Sequence, residues 1–196
     1  MKRSLLCVIG LCVTGLMLGM GAALAQECKK TEYSSEQQQY MDAAVKQQSL
    51  CQSKTDASCR SFLAQSVEHI YGIKDFGSDA NFASAPEIGK RVSTDATWEH
   101  IGSASDPEVL KKAVSSANCG QAVLAVMTSD AGGHVAMILP GAMSPSGGWK
   151  MDVPNSASFF MNNPAKSYTG KPLSFAFASP NGIEIYAKKN DVVAKK

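Results

Sequence analysis

Between residues 119 and 140 the hydrophobic period of this 196-residue chain changes, and no other feature limits its fold as much. Upstream, apolar residues recur every three or four positions, the spacing of one helix face. Downstream come two apolar runs of strand length, AVLAVM over 122–127 and HVAMIL over 134–139, joined by the turn-rich TSDAGG. Two such runs around a Gly-containing turn read as an antiparallel pair in the middle of a sheet. Residues 149–153 read as a third strand stopped at Pro154, and residues 156–161 as a short helix. Residues 173–178 and 183–187 form a last hairpin around Pro180-Asn181-Gly182. The order predicts an α+β domain, with N-terminal helices packed on an antiparallel β-sheet.

Three helices are expected ahead of the sheet. Residues 36–50, EQQQYMDAAVKQQSL, place Tyr40, Met41, Ala44, Val45 and Gln48 on one side. Residues 55–72, TDASCRSFLAQSVEHIYG, set Phe62, Leu63, Ser66, Val67, Ile70 and Tyr71 on one face, with Gly72 as the stop. Asp106-Pro107-Glu108 opens the third: a capping carboxylate, Pro in the first turn and an acid at the positive end of the dipole. Residues 73–105 lack a sustained period; one or two short helices fit there, with Pro86 in a first turn and Trp98 as an anchor. So long a stretch is expected to line a cleft.

The ends bound the domain. Lys2-Arg3, an apolar run and Ala23-Leu24-Ala25 before Gln26 read as a secretory signal cleaved after Ala25. That leaves residues 26–196, the size of a single domain, in a periplasmic or secreted setting. No lipobox precedes Cys28, and no second apolar run suggests stable membrane insertion after cleavage. Without Lys2 and Arg3, 17 basic side chains face 17 acidic ones. This balance gives no footprint for nucleic acid, and the basic tail 188–196 reads as a solvated end. Cys28, Cys51, Cys59 and Cys119 remain, in a compartment that permits disulfides, and they allow three complete pairings. Cys28 with Cys51 is the expected bridge, with Cys119 buried beside a strand and Cys59 free.

Two residues stand out chemically. Cys59 is expected in the first helical turn, where the dipole and unpaired N–H groups favour a thiolate. Half of a disulfide, or a small buried residue, fits that position as well. His134 opens an apolar strand directly after Gly132-Gly133, where small residues leave room for a substrate or another backbone. An edge polar group is the plainer reading of the same residue. His69 lies ten residues along the helix from Cys59, about 15 Å at 1.5 Å per residue, and His100 has nothing obvious around it. The widely spaced His and Cys show no paired ligand motif, so no metal or cofactor is called for.

The segments ASCRSFLAQSVEHIYG, GGHVAMILPG and GWKMDVPNSASFF, taken in that order, resemble the papain-like peptidoglycan amidases and peptidases of the CHAP and NlpC types. The resemblance covers roughly residues 56–158. It implies a papain-like fold, Cys59 as nucleophile and His134 as base. The third, orienting group falls on Asn155 first and Asp152 second. Arg60, Gly133 and Trp98 are then the residues expected at the substrate. Arg60 departs from the family pattern, which more often has a small or aromatic residue there, and 75 residues separate Cys59 from His134.

What the resemblance implies is an exported cysteine hydrolase. Cys59 attacks an amide carbonyl of a peptidoglycan stem peptide, its backbone N–H helps hold the oxyanion, and His134 protonates the leaving amine before water clears the thioester. The alternative is a non-catalytic, disulfide-stabilised periplasmic binding protein on the same fold, since a fold does not fix a function.

Overall fold

The computed structural model describes residues 28, 32–51, 59, 61–78, 81–128 and 133–189. In chain order these form α1 (Ser35–Ser49), α2 (Phe62–Tyr71), a small hairpin of β1 (Gly77–Ser78) and β2 (Asn81–Phe82), α3 (Ala85–Thr94), β3 (Trp98–Ser103) and α4 (Pro107–Asn118). Then follow β4 (Val123–Met127), β5 (His134–Ile138), β6 (Ser144–Ser146), β7 (Met151–Val153), β8 (Asn155–Ser158), β9 (Tyr168–Pro172) and β10 (Ile183–Lys188). Six strands make one antiparallel sheet in the order β3-β10-β4-β5-β8-β9. The architecture is α+β, as the change of period requires. The segment expected to be a leader, residues 1–25, and the basic tail from residue 190 onward lie outside the described residues.

Local chemistry sets the helix boundaries. Ser34 and Gln37 exchange hydrogen bonds at the start of α1, Gln37 N–H donating to Ser34 Oγ at 3.2 Å and Ser34 N–H to Gln37 Oε1 at 2.9 Å. The Glu87 carboxylate accepts from both Ser84 N–H and Ser84 Oγ–H at 2.7 Å, opening α3. These two bonds hold its carboxyl below the usual range. Asp106 caps α4 by accepting the Glu108 N–H at 2.9 Å, with Pro107 in the first turn as expected. At the far end of α2, Gly72 N–H donates to Glu68 O at 2.7 Å.

Both faces of the sheet are covered, which is why β4 and β5 read as unbroken apolar runs. Alternation still sorts them. Leu124, Val126, Val135 and Met137 meet Met41 of α1, Leu63 and Val67 of α2, and Ile88 and Val92 of α3 in one buried cluster. Val123, Ala125, Ala136 and Ile138 meet Leu110, Ala113 and Ala117 of α4 in a second, with Trp149, Leu173, Phe177, Ile183 and Ile185. Gly89 lets α3 lie directly on the sheet, for a Cβ there would come within 2.9 Å of Val126.

Several sequence expectations give way. The third strand of the main sheet beyond β5 is β8, in the stretch read as a short helix, because Ser156 and Ser158 bury their hydroxyls on the sheet. Residues 151–153 instead form the separate β6–β7 hairpin. Residues 173–175 are a 3-10 turn, and β10 inserts between β3 and β4 rather than closing a local hairpin. The irregular stretch 73–105 holds the expected helix with Pro86 near its start, and also β3.

Candidate functional site

Two disulfides tie the helices: Cys28 to Cys119 and Cys51 to Cys59, with Cα–Cα separations of 5.4 and 5.9 Å. The expected Cys28–Cys51 bridge is therefore corrected. The reason is packing. Cys51 follows directly on α1, α1 packs against α2, and this brings Cys51 to the segment that leads into α2. Cys119 is the C-cap residue of α4 and meets Cys28.

Cys59 is nearly buried and takes helical backbone, but Ser61, at φ −115°, is the N-cap of α2. The sulfur thus precedes the helix instead of occupying its first turn, and the dipole argument for a thiolate weakens with it. Its bond to Cys51 removes the thiol altogether in the oxidised protein. Arg60 lies outside the described residues.

His134 begins β5 opposite Met127. Alternation along β5 sends its side chain the way of Ala136 and Ile138, toward α4, whereas the helix after Cys59 packs on the other face. The ring stacks on Phe160 at 4.6 Å and meets the edge of Phe177 at 5.3 Å, and its Nε2 shares a hydrogen bond of 2.7 Å with Ser158 Oγ. Burial among these rings pulls the imidazole pKa from 6.5 down to about 4, so it is neutral at physiological pH. Ser158 sits opposite Ala136 and so diagonal to His134 on one face. Sequence reasoning missed this partner, because a run of Ser and Ala carries little strand signal.

The other nominated residues separate in the same way. Asn155 lies on the face of Ala157, opposite to that of Ser158, and so does not reach the imidazole. Asp152 is exposed in β7 and faces Lys111 of α4. Trp98 is a core residue rather than a substrate contact: its Nε1–H donates to Asp75 Oδ2 at 2.8 Å, Phe76 packs at 5.4 Å, and Lys188 lies over the ring. The Lys188 ammonium also pairs with Asp75 at 2.5 Å. Gly133, at φ +66°, is required by the backbone, since a Cβ would stand 2.6 Å from Met127 O. His69 stacks on Tyr40 at 3.8 Å, and His100 pairs with Glu184 at 2.6 Å on the surface.

One further polar group near the bridge is unmatched. Among the described residues the buried Gln48 amide nitrogen, three residues before Cys51, has no hydrogen-bond partner.

A cleft lies elsewhere, between the start of α1, the loop after β5, the start of β8 and β9. Its volume is about 560 Å³, and its walls include Tyr33, Gln38, Gln39, Gly141 and Asn155. Asn155, nominated to orient a histidine, thus faces open space. Among the described residues no helix is long and apolar enough to cross a membrane, and two disulfides fit an oxidising compartment. No protein-family model matches the chain, and no curated protein matches its sequence.

Proposed function

We propose that this protein is an exported, disulfide-stapled α+β domain that binds peptidoglycan fragments without hydrolysing them, on a papain-like layout. The observation that carries this reading is the separation of the two reactive groups. The Cys59 sulfur is bonded to Cys51, while the His134 imidazole points to the opposite face of the sheet and is engaged by Ser158. Thiol catalysis needs a nucleophile and a base within hydrogen-bond reach, and this oxidised state supplies neither a thiol nor that contact. The leader at residues 1–25 and the two bridges suit a periplasmic or secreted site of action.

A second reading keeps the cysteine hydrolase, restricted to the reduced protein. It is favoured by the setting of the short bridge: Cys51 is only partly buried, so a reductant reaches it. One experiment separates the two. Purified sacculi are incubated with oxidised protein, with reduced protein and with Cys59→Ala, and pellets and released muropeptides are read by gel and by mass spectrometry. The binding reading expects protein in the pellet and identical muropeptide profiles in all three. New products from wild type alone, lost in Cys59→Ala, establish hydrolysis instead.

A further inference from the structure

The turn that leads into β10 carries the one Asn-Gly pair of the chain, Asn181-Gly182. Every other asparagine precedes a residue with a side chain: Phe82, Cys119, Ser156, Asn163, Pro164 or Asp191. Asn181 and Gly182 are both exposed, and Gly182 has φ +74° with open space where a Cβ would stand. The Asn181 N–H donates to Ser179 Oγ at 3.2 Å, which closes the turn. Among the described residues neither the Asn181 carboxamide nor the Gly182 N–H has a hydrogen-bond partner. A side-chain carbonyl and the main-chain nitrogen that follows it thus meet solvent together, with no side chain to keep them apart. What comes next in the chain is core. Ile183 is fully buried and pairs with Met127 of β4, its C=O accepts the Ala104 N–H at 2.9 Å, and β10 lies between β3 and β4 in the main sheet.

We infer that Asn181 is a site of spontaneous deamidation, through which the protein acquires an isoaspartyl link at the entrance to β10. The Gly182 nitrogen gives up its proton and bonds to Asn181 Cγ, the Cγ–Nδ2 bond breaks, and Nδ2 leaves as ammonia with that proton, closing a five-membered imide. Water then opens the ring. Cleavage between Cγ and the ring nitrogen leaves aspartate; cleavage between the main-chain carbonyl carbon of residue 181 and that nitrogen leaves isoaspartate, with the main chain rerouted through Cγ. Both products carry a new carboxylate, no electrons are transferred, and water is the only co-reactant. The isoaspartyl form also lengthens the main chain by one methylene directly before Ile183, where β10 must meet β4 on one side and Ala104 on the other. The step uses neither the Cys59 sulfur nor the His134 imidazole.

The test ages the oxidised mature protein at neutral and at mildly alkaline pH and follows every asparagine by peptide mapping, with fragmentation that separates isoaspartate from aspartate. Asn181 is expected to convert first, gaining about one dalton, and at least about tenfold faster than Asn155 or Asn162, whose neighbours carry side chains. The rate should rise with pH, because the attacking nitrogen must lose its proton. Asn181→Gln, a change at an exposed turn position, should abolish the conversion, since the longer side chain has to close a larger ring. Freshly prepared Asn181→Asp carries the carboxylate without the extra methylene. Hydrogen exchange at the Ala104 amide should therefore stay slow in that variant and become about tenfold faster in the isoaspartyl fraction isolated from aged wild type. Conversion of another asparagine ahead of Asn181, or a mass gain undiminished in Asn181→Gln, would overturn the assignment of the site. Equal Ala104 protection in the isoaspartyl and Asn181→Asp forms would overturn its effect on β10.

Discussion

The two faces of the central sheet are built from the same strands yet hold their layers differently. On one side α1, α2 and α3 bury side chains such as Met41, Val67 and Ile88, and the short Cys51–Cys59 bridge links the end of α1 to the approach of α2. On the other a single helix, α4, covers the sheet, and its C-cap is tied by the long-range Cys28–Cys119 bridge. The difference teaches where reactivity is lost. The sulfur belongs to the three-helix face and the imidazole to the α4 face, so the six-stranded sheet lies between two residues that chain order alone suggests as partners.

The largest contrast is between the bridges themselves. Their partners are 91 and 8 residues apart, and in the loop-entropy description they contribute about 4.6 and about 2.5 kcal/mol. Replacing Cys28 and Cys119 by Ser should therefore lower unfolding free energy in urea by about 2 kcal/mol more than replacing Cys51 and Cys59. Equal losses would mean that the long bridge does not restrain the unfolded chain as described.

The α4 face should also be the acid-sensitive one. The folded pKa of His134, about 4, lies below the unfolded value of 6.5. The unfolded chain thus takes up the proton first. The stabilisation is complete above pH 6.5 and is lost as pH falls toward 4, by up to about 3 kcal/mol. The double variant His134→Phe/Ser158→Ala should lose less stability than wild type over that window, as followed by denaturant midpoints. Parallel curves would show that the ring titrates normally.

Smaller effects sharpen the comparison at its margins. Asp75 holds both Trp98 and Lys188 beside the three-helix core, and Asp75→Ala should cost about 1–3 kcal/mol by leaving the indole N–H unmatched. Lys150, in the β6–β7 hairpin on the α4 side, has φ +56°. Lys150→Gly should raise stability by about 1 kcal/mol, the penalty a side chain carries in that conformation. A lower melting temperature for this variant would place the side chain in a contact that outweighs the strain.

How far the sequence led depends on the kind of signal. α1, α2 and α4 were legible because their apolar spacing and end residues agreed, and β4 and β5 because buried central strands are unbroken apolar runs. β8 was not, since Ser156, Ala157 and Ser158 have weak strand preference and are held by tertiary contacts. β3 and β9, the two edges, were hidden by mixed polarity. Cys59 and His134 were visible as chemically unusual residues. Their facing was not, because it turns on strand parity and on which cysteine reaches which, both properties of the packed molecule. Asn155 was singled out as a partner for His134 and stands instead in the wall of a cleft that α1 completes, which no local pattern announces.

The most direct measurement is the thiol content of the native mature protein, by intact mass after rapid alkylation at neutral pH without reductant. The account predicts no alkylated cysteine, and after proteolysis two bridged peptide pairs, one joining Cys28 to Cys119 and the other Cys51 to Cys59. Fast, stoichiometric alkylation of Cys59 in the working protein would contradict it and return the sulfur to chemistry.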